Sequence, residues 1–175
     1  MSETVNTILK RRSIRKYTEQ KVDEKTIKKV LACGMSGPTA VNARDWSFVV
    51  VDDLQKLQEW ASVSGRAGNI MAGSAFSVLI CCDGDRAFSR APEYCIINSS
   101  IAGQNMILAA ESLGLGSVWL GIWPQQEKID AQKAYFNLPE TVTPHSIISF
   151  GYPAEDRSGV PHKDYEEDRV HFNKW

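Results

Sequence analysis

The chain predicts an α+β fold, with helices flanking one central, mostly antiparallel sheet. Four short apolar or β-branched runs have strand length: Phe48–Val51, Ser77–Cys82, Ser117–Leu120 and Ser146–Phe150. Stretches with helical spacing lie before and between them. The two kinds of element do not alternate in the strict strand–helix–strand rhythm of a parallel sheet, so the layers form around a single sheet. At 175 residues the chain reads as one domain, 1–175, with enough length to bury a core.

The elements follow in order. Val5, Ile8 and Leu9 share one face of a short first helix. Asp23 can cap a second helix through Ile27, Val30, Leu31 and Met35, which Gly37-Pro38 ends. Leu54, Leu57, Trp60 and Ala61 mark a third. Residues 62–73 carry Gly65, Gly68 and Gly73 and read as a mobile connector. A long apolar-periodic helix covers about residues 97–113, with Gly114 where a C′ glycine belongs. Pro124 opens another helix, through Ile129 to about Tyr135. Gly151-Tyr152-Pro153 closes the last strand. Residues 154–175 are polar and charged, then end in Val170, Phe172 and Trp175. Three apolar residues there predict that the tail docks on something.

Hydrophobic content of 43%, charged content of 23% and a net charge of −1 fit a soluble globular protein and argue against a general polyanion binder. Met1–Thr7 lacks a signal-peptide core, and the most apolar stretch, Phe76–Cys82, is too short to span a bilayer, so a cytoplasmic location is expected. Cys33, Cys81, Cys82 and Cys95 form no C-x-x-C pair, and His145, His162 and His171 lie far downstream. Cys81 and Cys82 point to opposite faces of a strand, and buried reduced thiols are expected.

Familiar catalytic motifs are absent: there is no P-loop, no H-E-x-x-H and no G-x-S-x-G. Gly114–Gly121 follows a helix and opens a strand, the reverse of a dinucleotide-binding turn. Gly114 and Gly116 read as a helix stop and a tight turn. Gly121 ends a strand beside Trp119, where a missing Cβ lets a flat ligand approach the backbone. The tryptophans at 46, 60, 119, 123 and 175 are not interleaved with basic residues, which suits core or ligand packing better than stacking on nucleic acid.

The most informative segment is Lys10-Arg11-Arg12-Ser13-Ile14-Arg15-Lys16-Tyr17, with five cations in seven residues. Such a cluster repels itself unless an anion sits in it, and guanidinium groups with a serine hydroxyl can hold a phosphate. A basic run can also be a nuclear address, a nucleic-acid patch or a solvated face. A second segment, Gly37 to Trp46, changes the weighing.

Together the two segments resemble the FMN-dependent nitroreductase family. Arg11, Ser13, Arg15 and Tyr17 match its R-x-S-x-[RK]-x-[FY] pattern. Pro38, Thr39, Ala40, Asn42 and Trp46 match its P-[ST]-[SA]-x-N-x-x-x-W pattern. The resemblance runs from about Leu9 to the C-terminus. It implies that Arg11 and Ser13 hold the FMN phosphate, joined by Lys163 from the tail. It places Arg12 along the ribityl chain and Arg15 near the pyrimidine end of the ring. Val118, Trp119, Leu120 and Gly121 lie beside the isoalloxazine, with the Gly121 N–H facing N5, and Asn98 belongs to the cofactor site.

In relatives the Pro38–Asn42 loop covers the flavin of the other subunit, so the resemblance implies a homodimer whose tail, 154–175, wraps the partner. It further implies NAD(P)H as electron donor and a nitroaromatic, quinone or similar small molecule as acceptor. Reductive dehalogenation or flavin degradation on the same scaffold is an alternative, as is a non-enzymatic nucleic-acid binder using the basic arm. Relatives usually carry Gln-Pro where this chain has Arg44-Asp45, and often Asp or Gln at the position of Asn98. Arg44 either pairs with Asp45 or reaches the mouth of the substrate pocket.

Overall fold

The computed structural model describes residues 2–156 and 165–175. In chain order its elements are α1 (Glu3–Lys10), α2 (Glu24–Met35), β1 (Trp46–Val51), α3 (Leu54–Ser62), α4 (Gly68–Met71), β2 (Phe76–Asp83), α5 (Tyr94–Ser112), β3 (Gly116–Gly121), α6 (Gln126–Phe136) and β4 (Val142–Gly151). Helix starts follow local chemistry. Asp23 Oδ1 accepts from the Thr26 amide and Asp53 Oδ1 from the Lys56 amide, each at 2.9 Å. Each cap satisfies an amide that the helix itself leaves without a partner.

The strands form one four-stranded sheet in the order β1-β2-β4-β3, antiparallel throughout. Alternation along β2 and β4 sends side chains to two covered faces. Phe76, Val78, Ile80, Ile148 and Phe150 meet α2 and α5 residues such as Val30 and Met106. Leu79, Cys81 and Ile147 meet Leu57, Trp60, Met71 and Ile129 from α3, α4 and α6. Burying a large apolar side chain stabilises by about 1.5–3 kcal/mol, so these two clusters hold the layers together.

A β-bulge interrupts the β2–β4 ladder. Ile80 pairs with Ser146 and Cys81 with Pro144, which leaves His145 as the extra residue. The bulge also accommodates Pro144 inside a ladder that proline would otherwise break. β4 therefore begins at Val142, ahead of the start at Ser146 that the sequence suggests.

Two expectations are corrected. Residues 62–73 are not a mobile connector. They hold a 3-10 turn, Gly65–Ala67, and the short helix α4, whose Met71 is fully buried. Gly68 packs so closely that a Cβ there would lie 2.1 Å from the Ala61 carbonyl oxygen. Glycine spacing of this kind predicts flexibility, whereas Gly68 permits close contact. Nor are all the cysteines reduced and buried: Cys82 and Cys95 form a disulfide and Cys33 is exposed. Cys81 does follow the expectation, and burial pushes its thiol up to about 12.

Among the described residues, apolar side chains of α1 and of the tail are exposed. Val5, Ile8 and Leu9 of α1 are exposed, and in the tail Phe172 and Trp175 are 79% and 99% exposed. Among the described residues, no helix is long and apolar enough to cross a membrane.

Candidate active site

β3 is an edge strand, and its outer side organises the site. The Ile14 amide donates to the Ser117 carbonyl at 2.9 Å, and Ser13 bridges Ser117 in the parallel sense. Ser117 thus turns its backbone groups away from β4. In an antiparallel ladder this alternates, so Trp119 and Gly121 also point their N–H and C=O groups outward. The Ile122 amide, next in the alternation, returns to the sheet and donates to the His145 carbonyl at 3.3 Å.

The basic segment is therefore fixed at one end of this edge and Gly121 lies at the other, about 13 Å along the strand. A Cβ at Gly121 would meet nothing within 4 Å, and the residue is exposed, so the sheet face over this end of the strand is open. Gly116 is the opposite case: a Cβ there would press on Ile14 at 2.7 Å, so this glycine lets the basic segment lie against β3. Tyr17 anchors the segment from behind. Its hydroxyl donates to the Ile14 carbonyl at 2.8 Å, and burial raises its phenol.

The cations have distinct placements. Arg11 caps α1 through its amide, which donates to the Thr7 carbonyl at 3.1 Å. Arg12 Nη1 donates to the carbonyls of Leu9, Lys10 and Arg11 at 2.8–2.9 Å, closing the C-terminal end of α1 where a cation also meets the helix dipole. The Arg15 side chain is exposed, and its amide donates to Glu155 Oε1 at 3.3 Å. Lys163 lies outside the described residues.

Pro38 to Asp45 forms a tightly held loop. Thr39 Oγ1 accepts from the Arg44 amide at 3.0 Å, and Asn98 Oδ1 from the Ala40 amide at 3.2 Å. Val41, Asn42 and Arg44 all adopt positive φ, of 48°, 58° and 51°. That conformation is costly for β-branched Val41, which is 70% exposed. Arg44 does not pair with Asp45. Its guanidinium lies 5.4 Å from the centre of the Trp46 ring, while Asp45 is fully buried against Asn98.

Behind β3, Trp119 turns its ring onto α5. A Cβ at Gly103 would lie 2.4 Å from that ring, and His145 meets it edge-on at 5.6 Å. The Ser100 hydroxyl donates to the Ile96 carbonyl, so at 3.1 Å it accepts from His145 Nε2, leaving Nδ1 to accept from Ser146 Oγ. Burial lowers His145 from 6.5 to about 4, so it is neutral at physiological pH. Val118 is buried, while Trp119 and Leu120 are half-buried.

A cavity of 570 Å³ opens beyond Gly121, between the turn at Gly65–Ala67 and the start of α6. Sequence reasoning missed this wall. The glycine spacing of residues 62–73 suggests slack, whereas Gly68 fits closely on Ala61 and helps fix the turn in place.

Comparison with known proteins adds a family. Residues 8–152 match the model described as the nitroreductase family. A protein of Methanothermobacter thermautotrophicus, provisionally named NADH dehydrogenase/NAD(P)H nitroreductase, is 37% identical over 174 residues, covering 99% of this chain and 88% of that one. A crystal structure from Bacteroides thetaiotaomicron, with the same provisional name, superposes with a TM-score of 0.90 at 33% identity, over 100% of this chain and 99% of the other. An FMN-dependent nitroreductase from Clostridium difficile superposes with a TM-score of 0.87 at 27% identity, over 98% and 99%.

Proposed function

The chain belongs to the nitroreductase family, and we propose that it is an FMN-dependent oxidoreductase passing hydride from NAD(P)H to an electron-poor acceptor such as a nitroaromatic or quinone. The observation that carries this reading is the outer edge of β3, which has a cation cluster at one end and, at the other, an exposed glycine with an outward amide and an open face where its side chain would stand. That edge suits a ligand with a phosphate at one end and a flat ring at the other. The relatives' names point to the same chemistry.

In this reading Arg11 and Ser13, with Lys163 from the tail, hold the phosphate by charge and hydrogen bonds. Arg12 lies along the ribityl chain and Arg15 faces the pyrimidine end. The strand from Val118 to Gly121 flanks the ring, with the Gly121 N–H orienting its reactive edge. Bound FMN supplies the hydride chemistry, so no dedicated acid, base or nucleophile is required of the protein. Asn98 serves the site at one remove, because its amide hydrogen bonds go to Asp45 and Ala40 and hold the covering loop.

The reading includes a homodimer in the cytoplasm. A second copy would bring Pro38, Thr39, Ala40 and Asn42 over the flavin. It would also cover the apolar surfaces of α1 and the tail, which are costly to leave in water. The assignment is tested by steady-state oxidation of NADH or NADPH with a quinone. Parallel double-reciprocal lines, the mark of one substrate leaving before the next binds, are expected. Intersecting lines, or no oxidation with any acceptor, would overturn it.

A further inference from the structure

The cavity beyond Gly121 carries two cations that the cofactor reading does not use. Arg66 projects from the 3-10 turn Gly65–Ala67, and Lys128 from the first turn of α6; both line the 570 Å³ space. Lys128 Nζ lies 3.3 Å from the Gly121 carbonyl oxygen, which places its charge beside the glycine assigned to the ring edge. Among the described residues, neither cation is paired with a carboxylate. Glu127 also lines the cavity, as an acid that the helix dipole favours in the first turn of α6.

The walls are pre-formed. Gln132 accepts from Trp60 Nε1 and donates to Ser64 Oγ at 3.4 Å, and Ser64 Oγ donates to the Trp60 carbonyl at 2.9 Å. This chain of hydrogen bonds ties α6 to the end of α3. Leu120, Ile122 and Ile147 contribute an apolar side. The space thus offers an apolar side, two cations and one carboxylate, a balance that suits a flat monoanion better than a dianion such as phosphate.

We propose that this cavity receives the carboxylate of an aromatic electron acceptor, with Arg66 and Lys128 as its specificity-determining cations. The proposal rests on the cofactor reading and adds the substrate class. Arg66 offers a planar fork to the carboxylate and Lys128 a point charge. The partly enclosed site screens them less than open water does. An acceptor held there by its carboxylate would lie beside the ring edge at Gly121.

The test titrates the oxidised, FMN-loaded protein with benzoate and with benzamide, which differ in charge and little in shape. Flavin absorbance is followed, and no turnover is needed. Benzoate should bind about tenfold more tightly, equivalent to about 1.4 kcal/mol. The double variant Arg66→Gln, Lys128→Gln should bring the two ligands within about twofold of each other at unchanged FMN affinity, while Lys128→Arg keeps the preference. Equal binding of the two ligands by the parent protein would overturn the proposal, as would a preference that survives the double variant. A marked loss of FMN affinity in the double variant would do so as well, because it would assign the cations to the cofactor. A parent protein that takes up no FMN would instead overturn the cofactor reading, and the proposal with it.

Discussion

Asn98 Nδ2 lies 2.9 and 3.1 Å from the two carboxylate oxygens of Asp45, and the pair is buried at the root of the Pro38–Asp45 loop. These are two of the positions at which the sequence departs from the family pattern, and they are in contact. The departures are thus one interaction: a carboxylate at 45 needs a donor at 98, which an aspartate there would not supply when ionised.

Asn98→Asp should therefore place two carboxylates face to face and cost about 3 kcal/mol at neutral pH. Adding Asp45→Asn should restore most of that loss, because the amide and carboxylate have only changed sides. Urea unfolding of the two single variants and the double closes the cycle. Additive losses would show that the two side chains do not depend on each other.

The contrast with the rest of the fold shows what a sequence displays. Local chemistry is legible: Asp23 caps α2, Gly114 stops α5 with a positive φ of 74°, and each of the four apolar runs lies within a strand, although β4 starts four residues ahead of its run. The basic segment and the Pro38–Asn42 loop were legible as motifs because their residue types are unusual together. Contacts between distant positions were not. Nothing at Asp45 announces Asn98, Cys82 does not announce Cys95, and Gly68 reads as slack until Ala61 is seen against it. Arg66, in the turn beside Gly68, stays hidden in the sequence for the same reason.

His145 should make stability depend on pH. Its imidazole is held down to about 4 from an ordinary 6.5, so as pH falls the unfolded chain takes up the proton first. The contribution is fully present above about pH 6.5 and is lost as pH falls toward 4, by about 3 kcal/mol across that window. His145→Gln should flatten this part of the profile. Urea midpoints at pH 7 and pH 5 for both proteins provide the check, and an equal acid loss in the variant would assign the slope to other groups.

Gly121 and Gly116 should respond oppositely to alanine. Gly121→Ala adds a methyl group to open space, so unfolding should be unchanged while FMN affinity falls about tenfold through a blocked approach. Gly116→Ala drives a methyl into Ile14 and should cost about 1–3 kcal/mol in stability. Thermal unfolding and FMN titration of both variants separate the roles. Unaltered FMN binding by the Gly121 variant would remove that glycine from the site.

Arg44, exposed and stacked over Trp46, is proposed to reach a partner's pocket mouth. Arg44→Gln should raise KM for a carboxylated quinone about two- to fivefold, the worth of a partly screened ion pair, and leave a neutral quinone unchanged. Matched changes for both quinones would leave Arg44 with only its contact to Trp46.

FMN should seat along the outer edge of β3, with its phosphate at the basic segment. The most direct measurement is FMN titration of the apoprotein, by flavin absorbance and fluorescence, for the parent, Arg11→Gln and Ser13→Ala. A yellow one-to-one complex with the parent is expected. Arg11→Gln should weaken the complex by about tenfold or more and Ser13→Ala by less, in line with a charge-assisted and a neutral hydrogen bond to phosphate. A parent protein that leaves FMN absorbance and fluorescence unchanged would contradict it, and so would an Arg11 variant that binds FMN as tightly as the parent.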